Sequence, residues 1–153
     1  ITYSLVPFGS YTISPVSKKG WFYTGNSIVV NKFKTKLQIP LRQAGTVSGK
    51  VVYEYDKKRV VELVPKYGGI NFRIMDQDKK SIQRIITNGD GYFTAFLPTG
   101  NYQIEIMQNS LEANTTCTNP VQSFSVESGK ITNLPHFEIT VKLRKINVKQ
   151  FSQ

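Results

Sequence analysis

The sequence predicts an all-β protein, a sandwich or barrel of short strands, and three observations lead there. Val, Ile, Thr, Tyr and Phe dominate the stretches between breaks, which is strand chemistry. Turn signals recur roughly every 8–12 residues, the spacing of a sandwich or barrel. No stretch carries a helical period of apolar residues. With 39% apolar and 12% aromatic residues, the 153-residue chain can bury a core. Its length leaves room for one domain, or a domain and part of another.

Segment 45–55, GTVSGKVVYEY, is the first long strand, with Val47, Val51, Tyr53 and Tyr55 on one parity. Gly49 inside it marks an expected bulge. Segment 68–76, GGINFRIMD, alternates Ile70, Phe72 and Ile74 with Asn71, Arg73 and Met75. SIQRIIT at 81–87 follows the polar turn DQDKK. NGDG at 88–91 is a hairpin signal leading into YFTAFL, whose Tyr92, Phe93 and Phe96 are expected in the core. LPTG then turns the chain into NYQIEIM at 101–107. There Pro98 presets φ, Gly100 is expected at positive φ, and Tyr102 should bury its ring and partner its hydroxyl. NSLEANTTCTNP reads as a loop. VQSFSVE, the turn SGK and HFEITVKL at 136–143 complete seven strands.

VPFGSYTI at 6–13 returns as LPTGNYQI at 97–104. Val6, Pro7, Gly9, Tyr11 and Ile13 match Leu97, Pro98, Gly100, Tyr102 and Ile104 at one constant offset. Downstream, SIVV at 27–30 parallels SFSV at 123–126, and LQIPL at 37–41 parallels ITVKL at 139–143. A pattern met twice in the same order indicates tandem modules. The expected organisation is a partial module over 1–43, holding the last three strands of a preceding repeat. A complete module over 44–144 and a C-terminal extension over 145–153 follow it. A three-stranded half leaves one face uncovered. Its missing strands would come from upstream sequence, from packing on the complete module, or from a neighbouring molecule in an oligomer.

The run GTVSGKVV, GGINFRIMD and GDGYFTAFLPTGNYQIEI resembles the prealbumin-like repeats known as carboxypeptidase-regulatory-like domains. It also resembles the related B-type repeats of collagen adhesins and pilins. The resemblance covers about 45–143 well and 5–41 in part, through short and mostly structural motifs. It implies a seven-stranded antiparallel Greek-key sandwich, preceded by the C-terminal half of a similar module. It also implies a role as stalk, spacer or accessory domain of a cell-surface, secreted or outer-membrane protein. Some adhesin repeats of this kind carry a Lys–Asn isopeptide bond, catalysed by a buried acid four residues after the tyrosine. Here that position is Ile106, Glu105 points to the opposite sheet face, and the first copy has Pro15. Lys50 and Asn147 would be the partners, but without the acid no cross-link is expected. The departure leans the resemblance toward the regulatory-like branch.

Twenty Lys and Arg against ten Asp and Glu give a net charge of +10, which favours anionic partners. The basic residues are dispersed, among them Lys32, Lys34, Lys36, Lys57, Lys58, Arg59, Lys79, Lys80, Lys142, Arg144, Lys145 and Lys149. They fall in turns or alternate with apolar residues, as on a solvated strand face, and lysine also discourages edge pairing. No nucleic-acid partner is expected. No apolar run reaches the roughly 18–20 residues of a membrane helix. The start ITYSLVPF lacks the basic and apolar regions of a signal peptide, so it reads as a processed chain or a piece of a longer one.

The single Cys117 excludes an intrachain disulfide and a cysteine-rich zinc site, and it falls in the expected loop. The single His136 lies at the entry of a strand. GxSxG, HExxH and GxxxxGK are all absent, so no catalytic residue and no cofactor is assigned, and the chain reads as non-enzymatic. Asp76, Asp78 and Asp90 are candidate calcium ligands should their turns meet, although DQD lacks the glycine and later Glu of an EF-hand loop. Asn114-Thr115-Thr116 is a glycosylation acceptor only in a eukaryotic secretory setting. KKGWFY sets Trp21, Phe22 and Tyr23 beside Lys18 and Lys19, in what reads as a loop. Aromatic rings with adjacent cations suit a glycan or anionic surface, whereas the blander reading packs them over the end of the incomplete sheet.

Three roles follow. The first is a structural or spacer module of a bacterial cell-surface or outer-membrane protein, whose partners are neighbouring domains of the same longer chain. The second is an adhesion module that binds a glycan or protein. The third is an accessory domain of an outer-membrane usher or secretion protein, with KLRKINVKQF at 142–151 as a terminal barrel strand. All three put the chain outside the cell or in its envelope.

Overall fold

The computed structural model describes residues 7–11, 20–23, 28–30, 41–56 and 64–142. Lys18, Lys19, Asn147, the 145–153 extension and all but Lys142 of the terminal strand expected at 142–151 lie outside them. In chain order the strands are β1 (Gly9–Tyr11), β2 (Trp21–Tyr23), β3 (Ile28–Val30), β4 (Leu41–Gln43), β5 (Gly45–Glu54), β6 (Asn71–Met75) and β7 (Ser81–Ile86). They continue with β8 (Tyr92–Leu97), β9 (Gly100–Ile106), β10 (Thr115–Cys117), β11 (Val121–Val126), β12 (Ile131–Asn133) and β13 (Phe137–Val141). One 3-10 turn, Gln108–Ser110, precedes β10. Among the described residues no helix is long and apolar enough to cross a membrane.

From β5 onward the strands build two facing sheets. One has the order β11-β9-β6-β7 and is antiparallel throughout. The other is organised on β5. Along one edge of β5 lies β8, antiparallel from Gly45 opposite Leu97 to Lys50 opposite Tyr92. Along its other edge run β12 and then β13, both parallel to it, with β10 antiparallel outside β13. The expected all-β sandwich is therefore found, and antiparallel pairing dominates it. The parallel contact between the opening and closing strands is an addition. Alternation along a strand assigns faces, not partners.

Period-two patterning explains the core. Val47, Val51, Phe72, Ile74, Ile104, Phe137 and Ile139 are fully buried, each on the inward parity of its strand. The Phe72 ring lies 4.5 Å from that of Phe93 and 4.8 Å from that of Phe137, which joins the two sheets at their centre. Each such side chain contributes about 1.5–3 kcal/mol by leaving water.

Several local expectations change. Gly49 makes no bulge: it stands in register opposite Phe93, and a Cβ there would lie 2.2 Å from the Phe93 ring. The glycine makes room for an aromatic ring, and the register shift falls instead between Ile74 and Met75. Tyr92 is exposed and Phe96 only half-buried, because β8 presents Phe93, Ala95 and Leu97 to the core. The outward ring of Tyr92 carries the Lys50 ammonium at 4.6 Å. The NGDG turn forms as expected, with Asn88 Oδ1 accepting the N–H groups of Asp90 and Tyr92, and Gly91 at φ +82.

Candidate functional site

The repeated turn has the same geometry in both copies. Tyr11 donates its hydroxyl to the Pro7 carbonyl at 2.6 Å, and Tyr102 donates to the Pro98 carbonyl at 2.8 Å. Gly100 is not among the positive-φ glycines, contrary to expectation. A Cβ there would come 3.3 Å from the Tyr102 hydroxyl oxygen, so the residue clears space for the ring folded back over it. In both copies that glycine stands opposite a valine, Gly9 against Val30 and Gly100 against Val126. The pairing order repeats as well: β1 with β3 and β2 with β4, as β9 with β11 and β10 with β13.

A single residue, Ala44, separates β4 from β5. It is 5% exposed and held on both sides. Its N–H donates to the Gly20 carbonyl, and its own carbonyl accepts the Gly129 N–H at 3.0 Å. Ser128 Oγ donates to the Gln43 carbonyl at 2.9 Å. Gly45 has no room for a side chain, because a Cβ would lie 2.3 Å from Val126 and 2.4 Å from the Glu127 carbonyl oxygen. The 127–130 turn between β11 and β12 thus grips the chain where one strand pair hands over to the next.

The residues expected to bind a ligand are scattered. Trp21, Phe22 and Tyr23 form strand β2, not a loop, and pair with β4. Trp21 is 42% exposed. Lys18 and Lys19 fall outside the described residues. Asp76 Oδ1 caps its own turn by accepting the N–H groups of Asp78 and Lys80, while Asp90 belongs to the Asn88 turn. Among the described residues no three acidic, His or Cys side chains are grouped to hold a metal.

Cys117 is buried in β10 instead of lying in a loop. Burial, with the nearby Glu138 charge adding to it, pushes the thiol up, away from the thiolate form that reacts. His136 is exposed, and its carbonyl accepts the Asn119 side-chain amide. Lys50 rests on Tyr92, and the Ile106 position is filled by a buried hydrocarbon.

A hollow of about 420 Å³ is open to solvent, with Asp76, Lys79, Asn101, Gln103, Ser123 and Ser125 around Tyr102. Ser125 Oγ donates to Asn101 Oδ1 and Gln103 Nε2 to Ser123 Oγ, so these side chains already satisfy one another. Such a surface can hydrogen-bond water or a polyol but encloses neither.

No protein-family model matches the chain, and no curated protein matches it in sequence. Among solved structures, the minor pilin GBS52 of Streptococcus agalactiae is similar, with a TM-score of 0.53 at 11% identity over 97% of this chain. The chain has a pilin-like β-sandwich fold. It spans 66% of that pilin. The Bacillus anthracis TIE protein matches 75% of this chain and 21% of its own, at 17% identity and a TM-score of 0.46. A streptococcal ancillary pilin matches 91% of this chain and 44% of its own, at 16% identity and a TM-score of 0.45. The pilin-like sandwich agrees in architecture with the resemblance read from the residues.

Proposed function

We propose that the chain is a slice of a tandem array of β-sandwich modules, acting as a non-catalytic spacer in a bacterial cell-surface protein. In this reading 1–43 closes one module and 44–144 forms the next, extending or positioning a neighbouring domain outside the cell or in its envelope. The observation that supports it most is the repeated Pro–Gly–Tyr turn, with matching hydrogen bonds and a matching glycine–valine register. The one-residue handover at Ala44 is the kind of joint that keeps successive modules aligned. A minor pilin among the structural neighbours is consistent with a surface setting.

The test is a distance. Fluorophores placed on either side of 44–142 in the parent chain are expected to approach by about 30 Å when that module is removed, the length of a ten-residue strand. Turnover or binding by neighbouring domains should survive the deletion. An unchanged separation, or loss of a chemical activity that maps to 44–142, overturns the spacer reading.

A further inference from the structure

We propose that the parallel seam along β5 is a shear clamp, which carries tension straight through the module. The inference rests on the spacer reading, in which load enters a module at its first strand and leaves at its last. Gly45 begins β5 and Val141 ends β13. Between them, residues 130–140 run alongside β5 in parallel register, from Ile131 opposite Thr46 to Thr140 opposite Glu54. The seam is bridged across the break between β12 and β13, because Leu134 N–H donates to the Ser48 carbonyl at 2.9 Å. It is anchored below by Thr46 N–H donating to the Lys130 carbonyl at 2.8 Å.

Direction is what makes this a clamp. In parallel neighbours, the N-terminal end of one strand and the C-terminal end of the other lie at opposite ends of the pair. Tension applied there slides the strands past each other, so the evenly spaced hydrogen bonds are loaded together. Had the two strands been antiparallel, the same pull would have met both ends on one side and opened the bonds singly. The sheet β11-β9-β6-β7 lies off this path and is spared the load. The entry point is reinforced, since Gln43 and Ala44 are hydrogen-bonded to Ser128 and Gly129 in the turn that leads into β12. The exit is reinforced by Lys142 N–H, which donates to the Asn114 carbonyl at 2.6 Å beside β10.

Single-molecule pulling on the full chain tests the clamp without altering its fold. Handles at the exposed residues Arg42 and Lys142 load the seam in shear, while handles at the exposed residues Glu54 and Lys142 peel the same two strands apart from one end. Shear is expected to need at least about twofold more force than peeling at the same loading rate, because forced unfolding follows the unfolding barrier along the pulled direction. Equal forces, or a weaker shear geometry, overturn the clamp and leave the fluorophore distance above untouched. A high shear force with an unchanged fluorophore distance would instead support the clamp and overturn the spacer reading.

Discussion

Gly49 carries a constraint that its flexibility does not explain. The Phe93 ring occupies the volume of its absent side chain, and Phe93 itself packs on Phe72 and, at 6.1 Å, faces Phe137. Gly49→Ala is therefore expected to destabilise the fold by about 1–3 kcal/mol, the usual cost of overpacking a core. Urea unfolding measures it, and Phe93→Leu added to the same chain should recover part of the loss. If Gly49→Ala unfolds at the wild-type midpoint, the close approach is not limiting. Gly100 follows the same logic more mildly, with a tyrosine hydroxyl at 3.3 Å in place of a ring carbon at 2.2 Å. Both positions are readable as glycine in the sequence. Neither announces that its purpose is steric, because the residue that needs the space lies on another strand or folds back from two positions ahead.

At the scale of elements, the alternation in 45–55, 68–76, 92–97 and 101–107 foretells β5, β6, β8 and β9 and most of their inward residues. β10 and β12 stay hidden because three-residue strands are too short for a period to repeat. They form because a neighbouring strand offers unpaired edge groups, and that is a property of the assembled sheet. Cys117 in TTC is thereby drawn from an apparent loop into the core. The 127–130 turn is also set by what it touches. Gly129 has φ +72, and a Cβ there would lie 3.2 Å from the Gln43 amide oxygen. Gly129→Val should cost about 1–3 kcal/mol through forced backbone strain. It should also speed amide hydrogen exchange at Gly129 and at Ala44, the two residues around that contact. Gly129→Ala provides a milder version, and unchanged exchange in both variants would show that the turn does not hold the junction.

For the whole molecule, the calcium candidates Asp76 and Asp78 share one turn, Asp90 lies in another, and Trp21, Phe22 and Tyr23 belong to β2. Their residue types fit turns and strands as well as they fit ligands. The core imposes an alkaline limit. Burial raises Cys117, Tyr53 and Tyr102 above their ordinary values, with Glu112 adding at Tyr53 and Asp76 at Tyr102. These groups ionise more readily in the unfolded chain, so their contribution is complete below the ordinary values, near pH 9 for the thiol and pH 10 for the phenols. It is lost as pH rises through the raised folded values. Thermal stability is expected to fall from about pH 9 upward, and Cys117→Ala should remove the earliest part of that slope. A pH-independent melting temperature from 8 to 11 would contradict the assignment. The Ala44 joint has a geometric corollary. One fixed rotation and one fixed rise, applied from module to module, generate a screw, and a head-to-tail contact of this kind need not close on itself. In an array assembled through that joint, the compass bearing of the outermost domain would be set by counting modules, with no contact to the surface beneath it.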